Sequence, residues 1–445
     1  MRNTIKKIIL YILTLEAKLV LARHKPFVIG ITGNIGKTTT KDTVAAALSG
    51  FSVNGRGVRE SKKSMNSEWG VPLTILDQKS GWDNPGRWLA VLFSGFLEIF
   101  NNNYPKILIL EIGADHKGDI KSLMKWIKLD IGVMTQFAEV PVHIENFKNR
   151  EEMILEKSYL AKGIKNGGTF IYNSDCKDTA KIASDLNLES KQNKKINFVS
   201  FGKKSGDCRA SVIISDIKNK NVHAQIIYQN KNYNLTCDGV IGESNILCAL
   251  PAIIIGKHFE KNEEGNALLD FKNSLENIKT MYRAPGRMKI LEGKSNSIII
   301  DDSYNSSPLA VMHGLKTIGE TNVIGRKIVM LGDMLELGDH SKDEHIKIGK
   351  EAARVAHILV TVGDKSRFVA EGALNNGMNE GWILECDDSE SAGREVLNIL
   401  KSGDLIYIKG SQGMRMERAT KILVHQNVKI KYELPRQEKE WQNRK

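Results

Sequence analysis

The segment GITGNIGKTTT, residues 30–40, restricts the fold of this chain more than any other stretch of its sequence. It follows a short apolar run that starts at Phe27 and precedes a helical pattern that starts at Lys37, so it joins a buried strand to a helix. Its glycines permit a tight turn whose N–H groups point at phosphate oxygens, and the helix N-terminus attracts anions. In such a loop the lysine reaches the β- and γ-phosphates and the next hydroxyl holds Mg²⁺. We therefore predict a nucleotide site formed by Gly33, Asn34, Gly36, Lys37, Thr38 and Thr39.

One position of this phosphate loop departs from the general motif G-x-x-x-x-G-K-[ST], because Ile31 stands where the first glycine is expected. The shorter pattern G-x-x-G-K-T remains. A chance glycine turn is the alternative interpretation.

Apolar strands alternate with helical patterns along the rest of the chain, at residues 106–113, 130–135, 297–302, 327–333, 357–363 and 404–410. Such alternation predicts parallel sheets, and ligands bind at the carboxyl edge of parallel strands. We predict an α/β protein, in which a central parallel-sheet phosphate-loop ATPase domain with a β-rich insert at about 196–240 is followed by a Rossmann-like C-terminal α/β domain. The expected divisions are an amphipathic helix (1–25), the central domain (26–285), the C-terminal domain (286–428) and a charged, frayed tail (429–445).

Length and composition agree with several domains and with an intracellular setting. The chain has 445 residues, and its five cysteines form no C-x-x-C pair, which argues against a disulfide framework or a zinc site. The net charge of +12 favours acidic partners such as nucleotides, phosphorylated sugars or anionic lipid, although a solvated basic surface explains it equally well. No segment resembles a nucleic-acid-binding module, so we expect no nucleic acid partner.

Two apolar segments predict helices that are too short or too polar to span a membrane. In the first, Ile5, Ile8, Ile9, Ile12, Leu15 and Leu19 recur near helical spacing, while Glu16 and Lys18 interrupt the apolar run. The second, residues 88–100, lies within an apparent insertion at 81–105. Each helix either packs on the protein or lies on a membrane. Our hypothesis is a cytoplasmic protein, with peripheral contact between these two helices and the inner membrane face near a lipid-linked acceptor.

An ordered set of motifs closely resembles the Mur ligases of bacterial cell-wall synthesis. Besides the phosphate loop it comprises residues 63–76, 111–120, 142–147, 284–290, 301–308, 331–338 and 409–417, and the resemblance extends from about 27 to 423. It implies an ATP-dependent ligase that forms an amide bond through an acyl phosphate, with two Mg²⁺ ions. It also implies small-molecule substrates: a peptide, sugar-nucleotide or lipid-linked acid, and an amine such as D-alanyl-D-alanine.

The same resemblance implies roles for catalytic and metal-binding residues. Glu111 corresponds to the glutamate that binds the second Mg²⁺, and His143 corresponds to a metal-binding histidine. Lys157, fourteen residues after His143, corresponds to a lysine that CO₂ modifies to a carbamate, which is an oxygen ligand for a hard metal. Together with Lys37 these residues are the expected catalytic set, and with Thr38 they are the expected metal ligands. The alternatives are a buried structural carboxylate, a loop histidine and a solvated helix lysine.

Further residues are assigned to substrates by the resemblance. Arg287 matches an arginine that contacts nucleotide phosphates, and Asp302 matches an aspartate that holds the ribose. The expected substrate-binding residues are Asn66, Asn305, Lys409 and Ser411, with Asn66 on the sugar-nucleotide side and the others near the amine. On the adenine side Asn245 is retained, but Ser244 and Cys248 replace the histidine and the second asparagine of the family pattern.

Mur ligases of this kind carry a UDP-binding domain of roughly a hundred residues before the phosphate loop, whereas one helix precedes it here. We therefore expect the usual module for binding UDP to be lacking, which leaves a Mur-like ligase with another acceptor open. A non-catalytic nucleotide-binding scaffold and a phosphate-loop kinase are further alternatives. We expect a monomer that closes about a hinge at 284–286.

Overall fold

The computed structural model describes residues 2–62, 65–81, 84–260, 269–438 and 441. The strands are β1 (Phe27–Thr32), β2 (Val58–Glu60), β3 (Ile107–Glu111), β4 (Leu129–Met134), β5 (Ile164–Asn173), β6 (Asn197–Gly202), β7 (Cys208–Asp216), β8 (Asn221–Tyr228), β9 (Lys231–Asp238), β10 (Lys289–Glu292), β11 (Ile298–Asp302), β12 (Lys327–Gly332), β13 (Ile358–Val362), β14 (Ile383–Cys386) and β15 (Leu405–Lys409).

The helices are α1 (Arg2–His24), α2 (Lys37–Ala47), α3 (Gly70–Ile75), α4 (Pro85–Glu98), α5 (Asp119–Leu123), α6 (Arg150–Lys162), α7 (Lys177–Asn193), α8 (Glu243–His258), α9 (Phe271–Thr280), α10 (Pro308–Glu320), α11 (Ser341–Val355), α12 (Arg367–Leu374), α13 (Ser389–Ile399), α14 (Glu417–Leu423) and α15 (Ile430–Glu433). Within the described part of the chain, no helix combines the length and the apolar character that crossing a membrane requires.

The first sheet carries the phosphate loop at the end of an inner strand. Its nine strands are ordered β2-β3-β1-β4-β5-β6-β7-β8-β9, and the pairs from β2 to β7 are parallel. β1 is apolar without alternation because helices cover both faces of the sheet, and five of its six residues are buried. Parallel register sets Ile31 beside Glu111, so the end of β3 lies next to the start of the phosphate loop.

The predicted β-rich segment at 196–240 is present, and its strands extend the first sheet. β6 pairs in parallel with both β5 and β7, and the β7–β8 and β8–β9 pairs that continue the sheet are antiparallel. In β8 the buried and less buried positions alternate, as expected for a strand with one covered face.

The second sheet has the predicted Rossmann-like parallel arrangement. Its order is β10-β11-β15-β12-β13-β14, with only the β10–β11 pair antiparallel. Register sets Asp302, the last residue of β11, beside Lys409, the last residue of β15. An acidic and a basic side chain therefore end two neighbouring strands at the carboxyl edge of this sheet.

The apolar segments at the N-terminus and at 88–100 both form helices, and the helices contact one another. α1 buries Leu13, Ala17 and Val20, and it packs against α3 and α4. α4 begins at Pro85, with the Asn84 side chain accepting a hydrogen bond from the Arg87 N–H as an N-terminal cap. Packing on the protein thus accounts for one face of each helix.

The expectation of a frayed C-terminal tail was wrong for residues 430–438. α15 forms there, and Leu434 and Arg436 are buried. Arg436 Nη2 lies 2.5 Å from Glu417 Oε2 and donates to the Ser303 carbonyl at 2.7 Å. The pairing of two buried charges fixes this segment, a long-range contact that local composition does not reveal. The rest of the tail, apart from residue 441, lies outside the described residues.

Candidate active site

The phosphate loop turns sharply between β1 and α2. Gly33 has a φ of 148°, and a Cβ atom there would lie 2.0 Å from Thr135 Oγ1, so only glycine fits. The N–H groups of Asn34 and Ile35 donate to the Gln136 carbonyl at 2.8 and 3.3 Å, which ties the loop to the end of β4. α2 starts after Gly36 without a side-chain cap, which leaves its first-turn N–H groups for an anion.

Lys37 lies folded against its own loop. Its Nζ donates to the carbonyl of Gly33 at 2.9 Å and to that of Asn34 at 3.4 Å. Burial lowers the pKa of the Lys37 ammonium, while the negative charge of Glu111 opposes the shift and the positive charge of Arg287 adds to it. An anionic phosphate at this position would stabilise the protonated, positively charged form of Lys37, which burial disfavours.

Glu111 presents one unpaired carboxylate oxygen. The residue is 1% exposed, and its Oε1 accepts a hydrogen bond of 2.9 Å from Asn66 Nδ2. Its Oε2 is buried and has no hydrogen-bond partner. An orphaned buried carboxylate oxygen is costly unless a cation or donor completes it. The Thr38 hydroxyl nearby on the same cavity wall accepts from Arg287 Nη2 at 3.4 Å.

His143 lies between two carboxylates that the sequence analysis did not single out. Its Nδ1 is 2.8 Å from Glu336 Oε2, and its Nε2 is 3.5 Å from Asp115 Oδ1. Its backbone is left-handed, with φ at 65°. Asp115 and Glu336 belong to motifs quoted above, 111–120 and 331–338. Their shared contact with His143 depends on how the two sheets meet, which the sequence does not specify.

Lys157 is buried in α6 behind the phosphate loop. One turn earlier on the same helix, Met153 accepts a weak contact of 3.6 Å from Asn34 Nδ2. Burial, with a smaller contribution from the positive charge of Lys37 and against the opposing charge of Asp115, lowers the pKa of the Lys157 ammonium to about 7. A neutral amine is the form that reacts with CO₂, so this environment suits a carbamate.

The second sheet contributes a buried ion pair and several polar loop residues. Lys409 Nζ lies 2.6 Å from Asp302 Oδ2 and donates to the Asn305 carbonyl at 2.9 Å. Ser411 Oγ accepts from the Leu335 N–H at 2.8 Å. The predicted ribose and amine residues are therefore in contact with each other.

Arg287 connects the two halves of the site. Besides its contact with Thr38, its guanidinium lies 4.2 Å from the centre of the Tyr304 ring. Asn245 also lines the cavity, and its Nδ2 donates to the Ile241 carbonyl at 2.8 Å. Cys248 packs against the phosphate loop, because a Cβ atom at Gly36 would lie 2.7 Å from its Sγ.

A cavity of about 410 Å³ collects these residues between the two sheets. All predicted site residues line it except Gly33 and Lys157. Lining residues that the sequence analysis missed include Asp115, Tyr304, His313, Glu336 and Gln412. Across the described residues, no group of three or more His, Cys, Asp or Glu side chains is arranged to hold a metal ion.

A phosphate loop that faces a second α/β sheet across a polar cavity defines a nucleotide-dependent enzyme of two α/β units. A family model described as the Mur ligase middle domain matches residues 31–256, and one described as the Mur ligase, glutamate ligase domain matches residues 286–412. The chain belongs to the Mur ligase family, whose members are ATP-dependent ligases.

Individual relatives agree with this assignment. The chain is 26% identical over 407 residues to the UDP-N-acetylmuramoyl-tripeptide–D-alanyl-D-alanine ligase of Bacillus subtilis (strain 168), covering 89% of this chain and 76% of that protein. It is 25% identical over 411 residues to the ligase of the same name from Escherichia coli (strain K12), with the same shares covered. The MurF ligase of Thermotoga maritima in complex with ADP has a TM-score of 0.72 at 22% identity, covering 93% of this chain and 83% of that one, which shows a shared fold.

Proposed function

We propose that this chain joins the peptide carboxylate of a peptidoglycan precursor to the amine of D-alanyl-D-alanine or a similar short amine, converting ATP to ADP and phosphate. The observation that carries this proposal is the cavity in which Lys37 and Thr38 of the phosphate loop face Lys409 and Ser411 of the second sheet. The names of the two bacterial relatives describe ligation of D-alanyl-D-alanine to UDP-N-acetylmuramoyl-tripeptide.

The chemistry requires two displacements in a closed cavity. An oxygen of the substrate carboxylate attacks the γ-phosphorus of ATP, the bond to the ADP oxygen breaks, and ADP leaves. The amine nitrogen then attacks the carbonyl carbon of the acyl phosphate, the carbon–oxygen bond to phosphate breaks, and the nitrogen loses a proton. Lys37 and Arg287 supply positive charge to the transferred phosphoryl group, and alignment within the cavity supplies most of the remaining rate enhancement.

The residues present fit Mg²⁺ at the phosphate-loop wall. We propose that Thr38, Glu111, His143 and Lys157 as a carbamate hold two ions, because Glu111 Oε2 is buried without a partner and Mg²⁺ prefers oxygen ligands and retains water. Bound there, Mg²⁺ neutralises the charge of the phosphates. His143 is already engaged by Asp115 and Glu336, so its share in binding requires those carboxylates to release it.

On the substrate side we propose that Asp302 binds the ribose and that Asn305, Lys409 and Ser411 bind the amine substrate, with Asn66 near the acceptor. Lys409 donates to Asp302 and Asn305 in this structure. A ligand carboxylate must therefore replace one of those bonds, which favours an anionic ligand over a neutral one.

We further propose a cytoplasmic monomer divided at residues 25, 285 and 428. All five cysteines are free, as a reducing compartment keeps them. Attachment to a membrane is a separate question that depends on α1 and α4.

The test measures ADP formation with UDP-N-acetylmuramoyl-tripeptide and D-alanyl-D-alanine, then with other acceptors and amines. Hydroxylamine added in place of the amine should trap the acyl phosphate as a hydroxamate whose yield depends on ATP and on the acceptor. Lys37→Ala should abolish both signals, while Cys386→Ser, which lies outside the cavity, should leave them unchanged. ADP release that is indifferent to every acceptor, with no hydroxamate, would show that the chain is not a ligase.

One observation favours a second acceptor class. α1 and α4 expose apolar side chains, which a lipid-linked acid could reach at a membrane surface. Hydroxamate formation with a lipid-linked acceptor in detergent micelles, but not with the UDP-linked one, would select this alternative.

A further inference from the structure

We propose that the outer faces of α1 and α4 form one docking surface for an anionic lipid bilayer, on which the protein lies without crossing it. The surface is defined by its exposed apolar side chains, Ile5, Ile8, Tyr11, Leu15 and Leu19 of α1, Leu89, Phe93, Phe96 and Leu97 of α4, and Phe100 just after α4. We call it the α1–α4 surface. This inference goes beyond the ligase activity and does not depend on it.

Each of the two helices has two apolar faces, only one of which is used by the fold. α1 buries Leu13, Ala17 and Val20, yet its exposed apolar residues also recur every three or four positions. In α4, Val91 and Gly95 are buried while the exposed residues follow the same helical spacing. A helix that only covered a core would carry polar residues on its outer face. The second apolar face of each helix therefore has no role in folding.

Contacts along the two helices place these outer faces side by side. Glu16 meets α4 at Gly95, because a Cβ atom there would lie 2.5 Å from Glu16 Oε2. Further along both helices, His24 Nε2 lies 3.0 Å from the Ile99 carbonyl, and the Arg23 guanidinium is 5.4 Å from the centre of the Phe100 ring. The helices thus run in the same direction, and their exposed stripes join into one surface.

The exposed apolar side chains of the chain are concentrated on this surface. Among the residues whose exposure is described, eighteen large apolar side chains are exposed, and ten of them belong to the α1–α4 surface. Single exposed apolar residues are common on protein surfaces, whereas a contiguous exposed group of this size marks an interaction site.

The charges around the α1–α4 surface select an anionic occupant. Five cations of the same two helices are exposed: Lys6, Lys7, Lys18, Arg23 and Arg87. The two helices contain only two acidic residues, and neither is free: Glu16 is buried, and Glu98 binds Arg59 at 2.6 Å. A second copy of this chain would bring like charges together, whereas an anionic bilayer would receive both the cations and the apolar side chains. Tyr and Phe also suit the interfacial layer of a bilayer.

The experiment measures co-sedimentation of the whole protein with lipid vesicles. With vesicles containing phosphatidylglycerol, we expect roughly half of the protein to bind at about 0.1–1 mM accessible lipid, and at least tenfold weaker binding to phosphatidylcholine alone. Phe93→Ser/Phe96→Ser should weaken binding at least tenfold, and Lys6→Gln/Lys7→Gln should weaken it several-fold. The matched control, Ile324→Ser/Trp382→Ser, removes exposed apolar side chains elsewhere and should bind as the parent does.

Circular dichroism and ADP formation in solution check that each variant is folded, since none of the changed residues lines the cavity. The inference is overturned if the parent does not bind anionic vesicles, or if the two serine variants bind alike. It is also overturned if light scattering shows a stable dimer that Phe93→Ser/Phe96→Ser dissociates, because the surface would then be occupied by a second copy.

Discussion

At the scale of single residues, the pairing of Asn66 with Glu111 determines which carboxylate oxygen is left without a hydrogen-bond partner. Asn66 Nδ2 holds Oε1 at 2.9 Å and leaves Oε2 buried without a partner. A carboxylate that binds a cation depends on such outer hydrogen bonds for its orientation. Asn66 is therefore a positioning residue, in addition to its proposed place near the acceptor.

We predict that Asn66→Ala lowers kcat/KM for ATP by about 10–100-fold and raises the Mg²⁺ concentration needed for half-maximal rate. The reason is that Glu111 loses the donor that orients it. Titrating Mg²⁺ at saturating ATP measures the effect. Asn66→Asp should be worse, because it sets a second negative charge beside Glu111. An Asn66→Ala enzyme with the parental Mg²⁺ dependence would show that Asn66 does not position Glu111.

We predict that Lys157 controls a dependence on bicarbonate. Burial lowers the pKa of its ammonium to about 7, so the amine is protonated below that pH and free to react with CO₂ above it. ADP formation in CO₂-depleted buffer should therefore recover on adding bicarbonate, and recover more fully at pH 8 than at pH 6. ¹³C NMR with labelled bicarbonate should show a carbamate signal that Lys157→Met lacks.

The neighbouring Lys162, which lies on the same helix with a half-exposed side chain, provides the control for that experiment. Lys162→Met should keep both the carbamate signal and the bicarbonate response. Equal activity with and without CO₂ would remove the carbamate from the mechanism while leaving the nucleotide site intact.

At the scale of elements, the packing of α1 on α4 encloses a carboxylate that does not contribute to the proposed chemistry. Glu16 is 7% exposed, and its Oε2 has no hydrogen-bond partner. Burial raises the pKa of Glu16 to about 7. The folded protein therefore binds this proton more tightly than the unfolded chain does, and ionisation of Glu16 opposes folding as the pH rises.

We predict that Glu16→Gln stabilises the protein at pH 8 and has little effect at pH 4.5. At pH 4.5, its ordinary pKa, the carboxyl is protonated in the folded protein and about half protonated in the unfolded chain, so its effect on stability is small, whereas the cost of its charge is fully present above about 7. The gain at pH 8 should be on the order of 1 kcal/mol in the free energy of unfolding. Urea denaturation at both pH values measures it, and a gain of the same size at both would contradict the assignment to Glu16 ionisation.

At the scale of the whole molecule, the sequence predicted the features that local residue patterns determine. It did not predict contacts between segments that are far apart in the chain. The phosphate loop, the strand ends and the α/β order could be predicted because glycine spacing, apolar runs and Asp or Gly at strand ends are local signals. The contact of Asp302 with Lys409 could not, since it requires β15 to lie beside β11, and several strand orders are compatible with the sequence. The contact of His143 with Glu336 likewise requires both sheets to be in place.

The same limit applies to the N-terminal part of the chain. Helical periodicity predicted α1, and an apolar run of helical length predicted α4, but neither signal could distinguish packing from membrane contact. The structure shows that each helix has one buried apolar face and one exposed one. Packing on the protein therefore accounts for the buried face, whereas membrane contact of the exposed face stays a prediction.

The last prediction concerns closure of the two sheets around nucleotide. The cavity wall is continuous here because Arg287, just after the proposed hinge at 284–286, reaches Thr38 on the first sheet at 3.4 Å, and Glu336 reaches His143. These few polar contacts cross an open cavity between partly exposed side chains, so they are weak without a ligand. We expect the free protein to be more open on average in solution, and an ATP analogue with Mg²⁺ and acceptor to shift it towards this arrangement.

Small-angle scattering should show a smaller radius of gyration with ligands than without them. Arg287→Ala should reduce that change and weaken nucleotide binding about tenfold or more, whereas Arg354→Ala, an exposed arginine on α11 outside the cavity, should change neither. Identical scattering profiles with and without ligands would mean that the sheets are already fixed, and that water is excluded by the substrates alone.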